Sequence, residues 1–157
     1  MKKVVIIIMC AASLISCNNS QKTEAKQQEQ KVAAASVAKV STLSEEQFRQ
    51  QVFDFVENPT QWVFKGSKPC VVDFYADWCR PCKAIAPHFD SLAKLYAGKV
   101  NFYKVNIDNA RNLSNLFRIQ SIPYVLFCWD EAFVYSSGAY PFDFYKSGVD
   151  SLLTRVK

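Results

Sequence analysis

Two cysteines, Cys79 and Cys82, stand two residues apart within the stretch DWCRPCK, residues 77–83. Such a pair can bind a metal, cross-link the fold or carry out thiol–disulfide exchange. A structural zinc site needs four ligands, yet the chain has a single histidine, His88, and the other cysteines come singly. A disulfide across so short a loop contributes little stability through loop entropy. We therefore expect a reaction centre, with no metal and no cofactor.

The elements around the pair favour the same reading. Residues 70–76, CVVDFYA, form an apolar run after Pro69 that is typical of a strand buried on both faces. Apolar residues at helical spacing follow the pair, so Cys79 stands where a helix begins. The N–H groups and the dipole of a helix start favour a thiolate. Pro81 suits a first turn, and Cys82, one turn along, can close the disulfide.

The remaining pattern predicts one α/β domain around a mixed sheet. Ser44 to Gln47 fits a capping box at the start of an opening helix. Residues 100–107, 124–129 and 133–136 are expected to be strands, and residues 112–117 a short helix. For residues 61–68 we expect an extra edge strand. The apolar spacing of a C-terminal helix is outlined by Phe142, Tyr145, Val149, Leu152 and Val156.

Residues 43–157 resemble the thioredoxin family, which implies a thioredoxin fold with a mixed central sheet flanked by helices. The motifs that carry the resemblance are VVDFYA (71–76), WCRPCK (78–83), the kink proline Pro87, KVNID (104–108), Ser121-Ile122-Pro123 and Gly138.

The resemblance implies catalytic roles for four residues. Cys79 is the nucleophile and Cys82 the resolving cysteine. Asp73 is the buried acid below the pair; burial raises a carboxyl pKa, which suits it to exchange a proton with Cys82. Lys104 is its electrostatic partner. Two alternatives stay open: Asp73 as a solvated edge residue, and Lys104 as a surface lysine.

The resemblance also implies a substrate groove next to Cys79. The peptide bond between Ile122 and Pro123 is expected to be cis, which leaves the backbone at these residues free to pair with a substrate strand. Trp78 is a contact surface, or alternatively a packing residue. Arg80 stands where the family usually has glycine, and Tyr124 where threonine is common. The expected groove residues are Trp78, Arg80, Pro81, Ile122, Pro123, Tyr124 and Gly138.

The first forty residues predict a targeting segment. Lys2 and Lys3 precede an apolar run, residues 4–14, that is too short to span a bilayer but suits a signal peptide. The segment LISC, ending at Cys17, resembles the lipobox of bacterial lipoproteins; an ordinary signal peptide is the alternative. We expect a signal at 1–16, a lipidated Cys17 with a disordered tether over 17–42, and the domain over 43–157. Asn18 favours the periplasmic face of the outer membrane.

The formal net charge of +5 comes without a basic stripe interleaved with aromatic residues, so we expect no nucleic-acid partner. The expected function is an extracytoplasmic thiol–disulfide oxidoreductase that reduces disulfide-bearing envelope proteins and draws electrons from a membrane-borne donor. A periplasmic disulfide oxidase or isomerase, a cytochrome-maturation thioredoxin and a non-catalytic interaction module remain alternatives.

In the thioredoxin fold that the resemblance implies, the strand that starts at Cys70 runs antiparallel to the strand that ends at Cys128, so these two cysteines are expected to lie roughly opposite each other. Opposed positions are within disulfide reach, and an oxidising compartment would permit the bond. We favour two small buried hydrophobic residues over a second disulfide.

Overall fold

The computed structural model describes residues 39–155, which form one five-stranded sheet with helices on both faces. The expected signal peptide, Cys17 and nearly all of the expected tether lie outside the described residues. The strands are β1 (Ser41–Thr42), β2 (Cys70–Tyr75), β3 (Asn101–Asn106), β4 (Tyr124–Cys128) and β5 (Phe133–Ser137). The helices are α1 (Glu45–Gln51), α2 (Arg80–Leu95), α3 (Arg111–Leu116) and α4 (Phe142–Arg155), with a short 3₁₀ turn at Ile107–Asn109.

The sheet has the strand order β1-β3-β2-β4-β5 and is mixed, as predicted. Strands β1, β3 and β2 run parallel, whereas β4 pairs antiparallel with both β2 and β5. Cys70 lies opposite Cys128, so the predicted register of these two strands is confirmed. Both cysteines are buried free thiols in the structure.

Two hydrophobic cores cover the two faces of the sheet because the side chains of each strand alternate between them. On one face Phe74 packs with Phe48 of α1 and Phe117 after α3. On the other face Leu92 of α2 and Tyr145 of α4 are fully buried against the sheet. The central strand β2, buried along its length except at its last residue, is thereby fixed from both sides.

The opening helix begins as the sequence predicts. The backbone N–H of Gln47 donates to Ser44 Oγ at 3.2 Å, and the N–H of Ser44 donates to Gln47 Oε1 at 2.9 Å. This reciprocal capping box satisfies two N–H groups that the helix itself leaves unpaired.

Residues 61–68 do not form the extra edge strand that we expected. They form a loop with one isolated bridge, between Phe64 and Phe53. The Trp62 ring packs against Phe53 and Phe133, and its indole N–H donates to the carbonyl of Trp129 at 3.0 Å. Aromatic side-chain packing therefore holds this segment against the sheet in place of a hydrogen-bonded strand.

The two edge strands of the sheet are β1 and β5, and β1 pairs parallel with β3 over two residues. The expected tether, residues 17–42, thus includes two residues that belong to the sheet. Among residues 39–155, no helix is long and apolar enough to cross a membrane. The same residues contain no group of three or more side chains suited to hold a metal ion.

Candidate active site

Cys79 and Cys82 form a disulfide at the amino-terminal end of α2. Cys79 is the residue that caps the helix, and the backbone N–H of Cys82 points at Cys79 Sγ from 3.2 Å. Both cysteines are 3% exposed. A sulfur that receives a helix N–H at the positive end of the dipole is stabilised as a thiolate once the disulfide is reduced.

The loop before β4 brings backbone to the disulfide. The Ile122–Pro123 peptide bond is cis, as predicted, and Cys79 Sγ lies 3.9 Å from the carbonyl oxygen of Ile122. The hydroxyls of Ser121 and Ser137 lie 2.8 Å apart, which ties this loop to β5. A polypeptide that approaches Cys79 therefore contacts the backbone of the loop before β4, which its bond to β5 keeps in position.

Gly138 closes the same side of the site. Its N–H donates to the carbonyl of Pro123 at 2.9 Å, and its φ of +115° is a conformation that favours glycine. The structure thus brings together Cys79, Cys82, Ile122, Pro123 and Gly138, as the sequence predicts.

Asp73 is a buried carboxylate, 5% exposed, which excludes the alternative of a solvated edge residue. Burial raises the pKa of Asp73 to about 7, and the positive charge of Lys104, its neighbour across the β2–β3 pair, partly opposes that rise. Asp73 Oδ1 has no hydrogen-bond partner among the described residues. Asp73, Cys82 and Lys104 line one cavity of about 210 Å³, several times the volume that a water occupies. The acid and the resolving cysteine can therefore exchange a proton through water.

Lys104 is half-buried, and its ammonium lies 5.2 Å from the centre of the Tyr75 ring. This position places the charge beside Asp73 and not free on the surface. The structure therefore favours Lys104 as the electrostatic partner of Asp73 over Lys104 as a surface lysine.

Three exposed residues surround the disulfide. Trp78 is 67% exposed, which excludes the alternative of a packing residue and leaves its ring open to solvent beside the disulfide. Arg80 and Pro81 also face solvent. The indole N–H of Trp78 donates to the Asp108 carboxylate, with 3.1 Å to the nearer oxygen. Sequence reasoning missed this positioning contact, although Asp108 is the last residue of the KVNID motif.

Tyr124 differs from the expected groove residue because it is only 5% exposed. Its ring packs against Phe74 of the core, and the exposed ring of Tyr135 stacks on it. Burial raises the pKa of Tyr124 to about 12. The accessible part of the Tyr124 side chain forms part of the wall of a cavity that Phe133 and Tyr135 also line.

Comparisons with known proteins agree with this geometry. The family profile described as Thioredoxin matches residues 39–141. The chain is 43% identical over 86 residues to the thioredoxin of Borreliella burgdorferi (strain ATCC 35210 / DSM 4680 / CIP 102532 / B31), which covers 55% of this chain and 73% of that protein. It is 48% identical over 73 residues to the chloroplastic M-type thioredoxin of Spinacia oleracea, but that match spans 45% of this chain and only 40% of the relative.

A crystal structure of chloroplastic thioredoxin z has a TM-score of 0.59 to this chain at 25% identity, covering 74% of this chain and 96% of the other. The family profile spans more than half of the chain and includes both cysteines and the cis-proline loop. The chain therefore belongs to the thioredoxin family of thiol–disulfide oxidoreductases.

Proposed function

We propose that this protein is an extracytoplasmic, membrane-tethered reductase of disulfides in envelope proteins. The observation that carries the chemical part is the disulfide at the start of α2, which lies against the cis-proline loop and shares a cavity with a buried acid. The part that concerns location is carried by the sequence of the first seventeen residues.

The proposed reaction exchanges one disulfide for another. The Cys79 thiolate attacks a sulfur of the client disulfide, which forms a mixed disulfide and releases the first client thiolate; this thiolate takes a proton from solvent. Cys82 then loses its proton to the Asp73 carboxylate and attacks Cys79 Sγ. This second exchange releases the second client sulfur as a thiolate, which takes a proton from solvent, and leaves the Cys79–Cys82 disulfide; the Asp73 carboxyl returns its proton to solvent. Two electrons reach the client, and a donor dithiol at the membrane returns them to the protein.

The direction of electron flow follows from the charges near the pair. Arg80 stabilises the Cys79 thiolate and thus makes the pair more oxidising, whereas ionised Asp73 disfavours a nearby thiolate. Arg80 is exposed and well screened by solvent, so we expect it to change the potential by less than about 30 mV. Such a change does not carry a pair from about −270 mV, typical of thioredoxin, to about −120 mV, typical of a strong oxidant. We therefore favour a reductase.

The proposed location follows from the sequence before the described domain. A signal peptide over residues 1–16, cut before Cys17, would place the domain beyond the inner membrane, and acyl chains on Cys17 would hold it on a bilayer durably. In that compartment the electron donor has to be membrane-borne, because cytosolic reductants do not reach it. We propose the periplasmic face of the outer membrane as the site of attachment.

Two measurements test the proposal. Equilibration with glutathione buffers should give a potential below about −180 mV, the region of disulfide isomerases; a higher value would support an oxidase or isomerase instead. Expressed with its native N-terminus, the Cys82→Ser variant should trap client proteins as mixed disulfides that dithiothreitol releases, while Cys79→Ser should trap none and lack activity. If envelope proteins are absent from the trapped set, the assignment of clients is wrong.

A further inference from the structure

Two aromatic rings lie exposed on the rim of the active site, just beyond Gly138. Tyr140 and Phe144 stack with their ring centres 4.1 Å apart and their planes inclined by 20°. They remain 38% and 43% exposed, respectively. We call this pair the aromatic ledge. Neither residue belongs to the catalytic machinery described above.

A series of short contacts joins the aromatic ledge to the catalytic cysteine. Cys79 Sγ lies 3.9 Å from the carbonyl of Ile122, and the next residue, Pro123, accepts the Gly138 N–H at 2.9 Å. A Cβ atom placed on Gly138 would lie 3.6 Å from Tyr140 Cε2, so the Tyr140 ring borders the Gly138 backbone. An extended polypeptide advances about 3.4 Å per residue. A client whose disulfide sits on Cys79 therefore reaches the aromatic ledge within a few residues.

Hydrogen bonds hold the aromatic ledge in place before any client binds. The backbone N–H of Tyr140 donates to Tyr145 Oη at 3.1 Å, and Tyr145 is fully buried. Tyr140 Oη in turn donates to the Ser137 carbonyl at 3.2 Å. Because the rings are ordered by these contacts, a client that packs on them pays little conformational entropy there.

We infer that the aromatic ledge binds an apolar side chain of the client polypeptide close to its disulfide, which makes Tyr140 and Phe144 specificity-determining residues. The occupant is a polypeptide because the ledge continues the surface on which the reacting chain has to lie. The preference is apolar because ring faces gain most from burying apolar or aromatic groups. This inference rests on the reductase function proposed above.

The test compares three substrates with the reduced protein in single-turnover assays. Two peptides of equal length each carry one cysteine in a mixed disulfide with glutathione; one has leucines at the three positions on each side of the cysteine, and the other has serines. The third substrate, hydroxyethyl disulfide, has no flanking chain. The variants are Tyr140→Ala, Phe144→Ala and Tyr140→Phe. Leu95→Ala is the matched control, because Leu95 is 57% exposed at the opposite end of α2 from Cys79.

Loss of either ring should lower the second-order rate constant for the leucine peptide by about two- to twelvefold, because a leucine partly buried against a ring gains part of the free energy of full side-chain burial. The serine peptide and hydroxyethyl disulfide should react at the wild-type rate. Tyr140→Phe keeps the ring but loses the hydrogen bond to the Ser137 carbonyl, so its rate with the leucine peptide should lie between those of the wild type and Tyr140→Ala. Leu95→Ala should match the wild type with all three substrates. If Tyr140→Ala fails to fold, Phe144→Ala decides the question.

Three outcomes would overturn the inference. An equal loss of rate with all three substrates would mean that the rings only position the Gly138 loop, and no loss with any substrate would mean that clients do not contact them. A concentration-dependent dimer that the alanine variants abolish, with unchanged peptide rates, would assign the ledge to self-association. If the wild-type protein reduces none of the substrates, the proposed function itself fails, which is a separate result.

Discussion

At the scale of single residues, Asp73 connects folding to the proposed chemistry, because its burial works against stability while it places a carboxyl in a cavity that Cys82 also lines. The family resemblance of the sequence implied this burial, and the structure confirms it. The sequence did not predict the burial of Tyr124 or the contact between Trp78 and Asp108, because both depend on the packing of side chains from separate elements.

The pKa of Asp73 predicts how stability changes with pH. The carboxyl has an ordinary pKa of 3.8, and burial in the folded protein raises it to about 7. Between these values the folded state binds more protons than the unfolded state, so stability falls as pH rises through this window. Asp73→Asn removes the ionisation and should be more stable than the wild type at pH 8 by a few kcal/mol, about 1.4 kcal/mol per pKa unit. Urea unfolding at pH 4 and pH 8 measures this.

At pH 4 the free energy of unfolding of Asp73→Asn should exceed that of the wild type by less than at pH 8, and the reduction should equal those few kcal/mol. Lys104→Met, which removes the opposing charge, should raise the pKa of Asp73 further. A variant whose stability relative to the wild type is the same at both pH values would show that Asp73 ionises normally.

The same carboxylate predicts a kinetic effect. Asp73→Asn cannot accept the Cys82 proton, so resolution of the mixed disulfide should slow by about a hundredfold, at the lower end of what general-base catalysis contributes. The initial attack by Cys79 should change much less. Stopped-flow measurement of the two phases with a fluorescent disulfide peptide separates them; equal slowing of both would contradict the assignment of Asp73 to the second step.

At the scale of elements, the parts that the sequence predicted are those fixed by local chemistry or by strand register. The Ser44 capping box and the pairing of Cys70 with Cys128 are examples. Strand β1 and the loop over residues 61–68 were assigned wrongly, because a two-residue strand has no periodicity to detect and Trp62 is held by partners that are distant in sequence. The alternating apolar residues of the loop face aromatic side chains and not a neighbouring strand.

The loop after β5 makes a prediction through Gly138. An alanine at its φ of +115° should cost about 1–3 kcal/mol of backbone strain and displace the N–H that holds Pro123. Gly138→Ala should therefore lose both stability and activity. Gly98→Ala is the matched control: it also has a positive φ, +75°, but it lies in open space after α2. Chemical denaturation should show that Gly98→Ala is also less stable than the wild type, whereas its activity should be unchanged. If both variants lose activity, the Gly138 loop has no specific role in it.

The pairing of β2 with β4 makes a prediction about the two other cysteines. Cys70 and Cys128 are 1% and 0% exposed, and burial together with the neighbouring Cys70 raises the pKa of the Cys128 thiol well above its usual value. Thiols held protonated and away from solvent oxidise slowly. Denatured oxidised protein should therefore present two free thiols, apart from any lipidated cysteine. A count of zero would show a second disulfide.

At the scale of the whole molecule, the first described residues of the domain and the active site lie at opposite ends of the parallel strands. Lys39 and Val40 precede β1, on the side of the sheet at which the parallel strands β2 and β3 begin. Cys79 follows the opposite end of β2. Residue 39, where a tether would join the described domain, therefore lies on the side of the sheet opposite to the disulfide.

This arrangement predicts that the proposed anchor can be removed without loss of chemistry. Cys17→Ala should abolish lipidation, move the protein from the detergent phase to the aqueous phase, and leave the rate of insulin reduction by the dithiothreitol-reduced protein unchanged. Mass spectrometry of the mature N-terminus provides the control, since a wild-type protein without lipid at Cys17 would refute the anchor. A Cys17→Ala protein that stays membrane-bound would show that another part of the chain holds it there.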